Sequence, residues 1–407
     1  MDPVHQEFAH AEGGITAPAG FLAAGVSAGI KKSGKRDVCV LAAGRSVPAA
    51  GVFTTSTTAA PPVLVSREHV ARGALRAIVV NAGNANACTG EPGMRDARAM
   101  AAVAAEVLDC DAHEIGVCST GVIGVPLPLD LVVAGIIEGV ADLDSTNGEE
   151  AAEAIMTTDT FMKQVAISVT SGGRTFTVGG MAKGSGMIQP NMATMLAFIT
   201  TDAPLSASGC DEILRSAVAR SFNRITVDSD TSTNDSCFLM ASGAEGGDDL
   251  APGSAGYDAV GSAVLEVATA LAQMVVRDGE GATKFVTVTV RGAVTEQDAE
   301  KAAFAIANSP LMKCALFGED ANWGRAAMAV GKSGAVIDPS KLEIVFAGIV
   351  TCKDGTATGF DEEEAARALS EPEIELLVDL HVGDAEATVW TCDLSYDYVR
   401  INGDYRS

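Results

Sequence analysis

The stretch Gly179-Gly-Met-Ala-Lys-Gly-Ser-Gly-Met-Ile-Gln-Pro-Asn-Met-Ala-Thr-Met-Leu-Ala-Phe-Ile-Thr-Thr-Asp202 brings together residue types that can do chemistry without a histidine. Glycines at 179, 180, 184 and 186 permit unusual backbone angles, and Pro190 and the small Ala193 lead into Thr194, which opens an apolar, strand-like run. A hydroxyl placed there can attack the preceding Ala193 carbonyl, pass through an ester and hydrolyse to leave Thr194 as a new N-terminus. The α-amine so released has an ordinary pKa of about 7.7–8.0 and can serve as general base for its own hydroxyl. Read from pattern alone, this stands beside a plainer reading, a glycine-rich loop entering a buried strand.

Other motifs carry less. Gly331-Lys-Ser333 has the ending of a phosphate loop, but Ala326 stands where the first glycine of G-x-x-x-x-G-K-[ST] is required, so it reads as a turn. Asp228-Ser-Asp-Thr-Ser-Thr-Asn-Asp235 has the spacing of a calcium loop, yet Thr233 replaces the needed glycine and Leu239 the closing glutamate. What remains open there is a polar turn beside a site. No G-x-S-x-G elbow occurs, and a Ser-His-Asp set would have to recruit His113 or His381. Gly116-Val-Cys-Ser-Thr-Gly-Val-Ile-Gly124 can turn backbone N–H groups toward an oxyanion, or can be a simple strand-to-helix turn.

The elements that must position these residues alternate without a strict βαβ rhythm, which favours layered α+β. Strand-like runs fall at 38–42, 77–81, 164–168, 175–178, 195–200, 237–241, 284–290, 375–382 and 387–392; the pair 164–168 and 175–178 forms a hairpin through Ser171-Gly-Gly-Arg174. Helical stretches fall at 94–108, 127–140, 211–222, 254–276 and 297–308. Acid-rich Glu138–Asp159 and Asp361–Glu375 read as solvated helix faces or loops.

Composition bounds the function classes. Over 407 residues, 28 Lys+Arg against 53 Asp+Glu give a net charge of −25, a field that repels nucleic acid, while 47% apolar residues can build a large core. Nine scattered cysteines without a C-x-x-C pair read as buried, reduced thiols, and five dispersed histidines offer no zinc spacing. The segment Met1–Gly13 lacks the order of a secretion signal, and the uncharged stretches 13–30 and 184–201 hold too many glycines, prolines and polar groups for membrane spans. A cytoplasmic protein with no membrane partner is expected.

Longer motifs then carry a resemblance. Lys183-Gly-Ser-Gly-Met-Ile-Gln-Pro-Asn-Met-Ala-Thr-Met-Leu196 resembles the self-processing signature of the arginine-biosynthesis ornithine acetyltransferase (glutamate N-acetyltransferase) family. Segments 14–21, 81–90, 119–124, 154–160, 278–284, 320–325 and 396–407 are similar to the same family, in its order, across nearly the whole chain. The resemblance implies an α+β fold, an αββα sandwich of the N-terminal-nucleophile-like kind. It implies cleavage between Ala193 and Thr194 into an α chain, 1–193, and a β chain, 194–407, that remain one folding unit in an α2β2 heterotetramer. Thr194 is then the nucleophile, Thr120 and Gly121 form the oxyanion site, and Thr157, Lys183, Thr194, Glu280, Asn402 and Ser407 contact substrate.

Lys183 and the 402–407 segment suit an amino-acid carboxylate, and Glu280 suits ornithine's cationic amine. The activity implied is ping-pong acetyl transfer from N-acetylornithine to glutamate, with no metal or bound cofactor; acetyl-CoA is a further possible acetyl donor. Met162 and Gly403 stand where proline and alanine are common in the family. A self-cleaving aminopeptidase or amidase of the same nucleophile type is the main alternative, and a non-catalytic amino-acid-binding protein a further one.

Overall fold

The computed structural model describes residues 7–189 and 195–404. In chain order the strands are β1 (Phe8–His10), β2 (Phe21–Val26), β3 (Val38–Phe53), β4 (Ala74–Asn84), β5 (Ile115–Val122), β6 (Lys163–Ser171), β7 (Arg174–Lys183) and β8 (Leu196–Thr201). They continue with β9 (Ile225–Thr226), β10 (Ser236–Ala241), β11 (Phe285–Ala293), β12 (Glu343–Phe346), β13 (Ile349–Lys353), β14 (Thr356–Ala357), β15 (Glu373–Asp379) and β16 (Ala385–Cys392). The helices are α1 (Pro61–Val70), α2 (Gly90–Leu108), α3 (Leu129–Ala141), α4 (Gly148–Ala154), α5 (Ala207–Arg220) and α6 (Ala255–Arg277). After them come α7 (Glu296–Ala307), α8 (Pro310–Phe317), α9 (Trp323–Gly331), α10 (Glu362–Leu369) and α11 (Tyr396–Gly403).

The chain divides into two compact units. The first holds residues up to Gly184, then 190–223 and 231–275; the second holds 185–189, 224–230 and 276 onward. In the first unit β1-β6-β7-β8-β10-β3-β4-β5 run side by side, with β2 also on β3. β3 is long enough to serve two layers. Its first half pairs with β2 and β4 and its second half with β10, with a register break against β4 between Ala42 and Val47.

Met181, Leu196, Phe198, Phe238 and Met240 from one layer and Leu41, Ile78, Val80 and Cys118 from the other form one buried cluster. Within it the Phe198 and Phe238 rings stack at 6.0 Å. The outer face of the β2–β5 layer buries Val40 and Val79 with Met100 and Ala104 of α2 and Ile136 of α3. The outer face of the other layer carries α5 and α6: α5 packs on β3 and β10, and a Cβ on Gly180 would lie 2.7 Å from Val267 and 2.9 Å from Leu271 of α6. The order is helix, sheet, sheet, helix: an αββα sandwich, as the sequence led us to expect.

The second unit is a seven-stranded sheet, among the described residues, in the order β14-β13-β12-β15-β11-β16-β9. Val286, Val288 and Val290 of β11 pack with Ala299, Ala303 and Ile306 of α7. The β-branched alternation of β11 suits a sheet interior. Two helices meet at the Asn308-Ser-Pro310 step: Pro310 takes the first position of α8, where no N–H is needed, and the Ser309 hydroxyl accepts the Met312 N–H.

Of the local readings, that of the phosphate-loop ending as a turn and that of 184–201 as no membrane span hold, and that of the thiols changes. Gly331-Lys-Ser333 lies at the C-terminus of α9, the wrong end of a helix for phosphate. Three of the nine thiols are not buried, since Cys88 and Cys314 are exposed and Cys110 partly so. The stretch 184–201 enters β8, and the one described helix long and apolar enough for a membrane span, α6, has Val267 and Leu271 fully buried on the sheet.

Candidate active site

Residues from four distant segments meet in the first unit. Lys183 closes β7 and is 8% exposed; its Nζ donates to Thr120 Oγ1 of β5 at 3.3 Å. In register it faces Leu196, the second residue after Thr194. Beside Thr120, Gly121 has φ +130°, and a Cβ there would come within 2.3 Å of the Gly83 carbonyl carbon. Only glycine adopts this conformation next to a backbone so close.

The turn around Thr120 is held from behind. Ser119 Oγ donates to Asn81 Oδ1 at 2.6 Å, and Asn234 Nδ2 donates to the backbone oxygens of Ser119 and Ala85 at 2.9 and 2.6 Å. The end of the 228–235 stretch is therefore a polar turn beside the Ser119–Gly121 segment, the reading left open above. Its Asp228 end lies in the second unit.

Asp159 overturns the reading of 138–159 as wholly solvated. Its side chain and that of Lys163 are both fully enclosed, with Lys163 Nζ 2.7 Å from Oδ1. Oδ1 also accepts the Gly184 N–H at 2.7 Å, and Oδ2 the Thr157 N–H at 2.8 Å. One carboxylate thus fixes the backbone of Thr157 and of the residue after Lys183. Burial alone would push the Asp159 carboxyl up, but the Lys183 and Lys163 ammonium groups outweigh it and hold it well below the usual carboxylate range. The i,i+4 spacing of Asp159 and Lys163 is visible in the sequence; their enclosure is not.

In the second unit Glu280 is 8% exposed, and its Oε2 accepts from Asn402 Nδ2 of α11 at 2.8 Å. Glu280 N–H donates to Ser185 O at 3.0 Å, and Ser185 Oγ donates to Asp278 O at 2.6 Å. Further along, Asp228 accepts the N–H groups of Met187 and Ile188 at 2.6 and 2.7 Å, and Tyr398 OH lies 3.3 Å from Asp228 Oδ2. Burial and the Asp228 carboxylate both push the Tyr398 hydroxyl up. Gln189 N–H donates to Asp230 O at 2.9 Å. The five residues preceding Pro190 are thereby strapped at both ends, by the 278–280 segment and by the polar turn that begins at Asp228.

Of the residues expected from sequence, Thr120, Gly121, Thr157 and Lys183 are thus brought together in the first unit, and Glu280 with Asn402 in the second. Ala193, Thr194 and Ser407 lie outside the described residues.

Residues 22–407 match the ArgJ family. The arginine biosynthesis bifunctional protein ArgJ of Symbiobacterium thermophilum is 54% identical over 397 residues, 97% of this chain and 99% of that protein. Its namesake from Geobacter sulfurreducens is 49% identical over 389 residues, covering 95% and 99%. Among solved structures, the ArgJ crystal structure from Bacillus halodurans is 43% identical with a TM-score of 0.51, covering 52% of this chain and all of that one. The chain belongs to the ArgJ family and is an N-acetyltransferase of arginine biosynthesis.

Proposed function

We propose that the chain cuts itself between Ala193 and Thr194 and then moves acetyl from N-acetylornithine to glutamate through an ester on Thr194. The Thr194 amine takes the proton of its own hydroxyl, and Oγ bonds the acetyl carbonyl carbon. The tetrahedral oxyanion rests at Thr120 and Gly121; the C–N bond breaks, the proton passes to ornithine's nitrogen, and ornithine leaves. Glutamate's amine then attacks the ester, giving N-acetylglutamate and restoring Thr194. Lys183, Thr157, Asn402 and Ser407 hold the amino-acid groups, and Glu280 meets the side-chain ammonium of ornithine.

The observation that carries this reading is the Lys183–Thr120 contact beside Gly121, at the strand end facing the residues that follow Thr194. The antiparallel β7–β8 pairing supports the further reading that both products of cleavage remain one folding unit. The bifunctional name of the relatives supports a second activity, for which acetyl-CoA is the donor in this reading. Neither half-reaction, as proposed, calls for a metal or bound cofactor. An α2β2 assembly in the cytoplasm completes the reading.

Denaturing electrophoresis tests the first step. Two bands near half of 41.4 kDa are expected, and Thr194→Ala leaves one. Incubation with N-acetylornithine, with and without glutamate, tests the second. Acetate release that does not depend on glutamate would instead mark a hydrolase of the amidase type.

A further inference from the structure

The loop that carries Glu280 into β11 runs beside the segment that leaves β16, since Phe285 pairs with Cys392. Asp393, 3% exposed, is the first residue of that segment. Its Oδ1 accepts the Thr283 and Lys284 N–H groups at 2.8 and 2.9 Å, and its Oδ2 accepts the Thr283 hydroxyl at 2.6 Å. Two residues on, the Ser395 hydroxyl donates to the Gly281 carbonyl at 2.6 Å and accepts the Asp397 N–H at 3.1 Å. That second bond makes Ser395 the N-cap of α11, the helix whose Asn402 meets Glu280. One hydroxyl therefore ties both the Glu280 loop and the helix that aims the Glu280 carboxylate.

Gly281 shows how close the contact is. It has φ +70°, and a Cβ there would lie 2.5 Å from Tyr398 N and 2.9 Å from Ser395 Oγ. The residue after Glu280 is thus pressed against the first turn of α11, where only glycine fits. A Cβ on Gly186 would fall 2.4 Å from Glu280 Oε2, so bare backbone walls the carboxylate there. Positions 280, 281, 283 and 284 are each bonded by a side chain from 393–402. These bonds lie outside the β11–β16 ladder, which begins at Phe285.

We propose that Ser395 is a positioning residue for recognition of N-acetylornithine, with Asp393 fixing the far end of the same loop. The inference rests on the reading of Glu280 as partner of ornithine's ammonium and adds the frame that holds it. Ser395 acts through Gly281 and through the cap of α11, and touches no substrate itself. Misplacing a binding group by about 1 Å can cost up to about 100-fold, so the frame matters as well as the charge.

The test is Ser395→Ala in the full chain, with Ser395→Thr as the conservative variant and Glu280→Gln as the reference. In a ping-pong reaction kcat/KM for each substrate reports its own half-reaction. Without the hydroxyl, the Gly281 carbonyl loses its donor and α11 its cap. The value for N-acetylornithine should fall about tenfold, while that for glutamate stays within about twofold. S395T keeps the hydroxyl and should restore the wild-type ratio. In the Glu280→Gln background, Ser395→Ala should cost less than about twofold, because no charge is left to aim.

Equal losses toward both substrates, or full additivity with Glu280→Gln, overturn the proposal, since Ser395 then serves the fold alone. Should S395A fail to fold, Ser395→Gly decides, because glycine is tolerated at an N-cap yet cannot bond the Gly281 carbonyl. A selective loss toward N-acetylornithine in S395G supports the frame, and wild-type kinetics refute it. Glu280→Gln that lowers both substrates equally would instead refute the Glu280 reading, and the frame with it.

Discussion

Asp159→Asn removes one charge from a fully enclosed pair while keeping size and shape. In wild type the carboxylate accepts three hydrogen bonds, from Lys163 Nζ, Gly184 N–H and Thr157 N–H. The amide retains one acceptor oxygen, loses the ionic partner of Lys163 and turns an NH2 toward a donor. Breaking a buried pair from one side costs about 3–5 kcal/mol, because the charge left behind has no water to return to. At roughly 2–4 °C per kcal/mol for units of this general size, the melting midpoint at neutral pH should fall by roughly 10 °C.

Scanning calorimetry or intrinsic fluorescence reads this directly, and Asp159→Asn/Lys163→Met, which removes both charges, should recover part of the loss. Activity should move too: with Thr157 and Gly184 released, KM for N-acetylornithine should rise in the single variant. The sign with pH follows from the depressed carboxyl. Its contribution is complete above the ordinary aspartate value of about 3.9 and fades as pH falls through the lower, folded-state value. A D159N midpoint within about 2 °C of wild type, or a double variant no better than the single, would refute the reasoning.

Three further outcomes follow from the same geometry. Glu280→Gln should raise KM for N-acetylornithine roughly tenfold to a hundredfold, since hydrogen bonds to charged groups are worth about 1.5–3 kcal/mol, with KM for glutamate little changed; equal effects on both substrates would remove Glu280 from ornithine recognition. Gly121→Ala forces a Cβ into the Gly83 backbone at φ +130°, and acetyl transfer should be lost even if soluble protein is recovered; full steady-state activity would show that the turn relaxes freely. Gly403→Ala, at the last residue of α11 where a Cβ would meet nothing within 4 Å, should firm the helix end by up to about 1 kcal/mol, seen as slower amide exchange in 396–403.

Much of the scaffold was legible because it depends on local pattern. The run 285–290 alternates β-branched residues, 164–168 and 175–178 flank a Gly-Gly turn, and each became the strand or hairpin expected. Helices α2, α3, α5, α6 and α7 fall within a few residues of their expected spans, with ends shifted by caps such as Ser206 and Thr295. Short elements went unread: α1, α4, α9 and α10 are too brief for periodicity to emerge, and α8 announces itself only through Ser309-Pro310.

The sequence by itself determined the chemistry on offer: a glycine-rich approach to Ala193–Thr194, a charge balance hostile to nucleic acid, and motifs of the ArgJ family across the chain. Those are statements about residue type and order, which the linear chain holds completely. The tertiary structure alone decided which carboxylates are buried. Asp159 sits in an acid-rich stretch and Asp235 in a polar turn, and nothing local separates them from their solvated neighbours. Only packing removes the water, and without water one is held well below the usual carboxylate range between two lysines while burial pushes the other well above it.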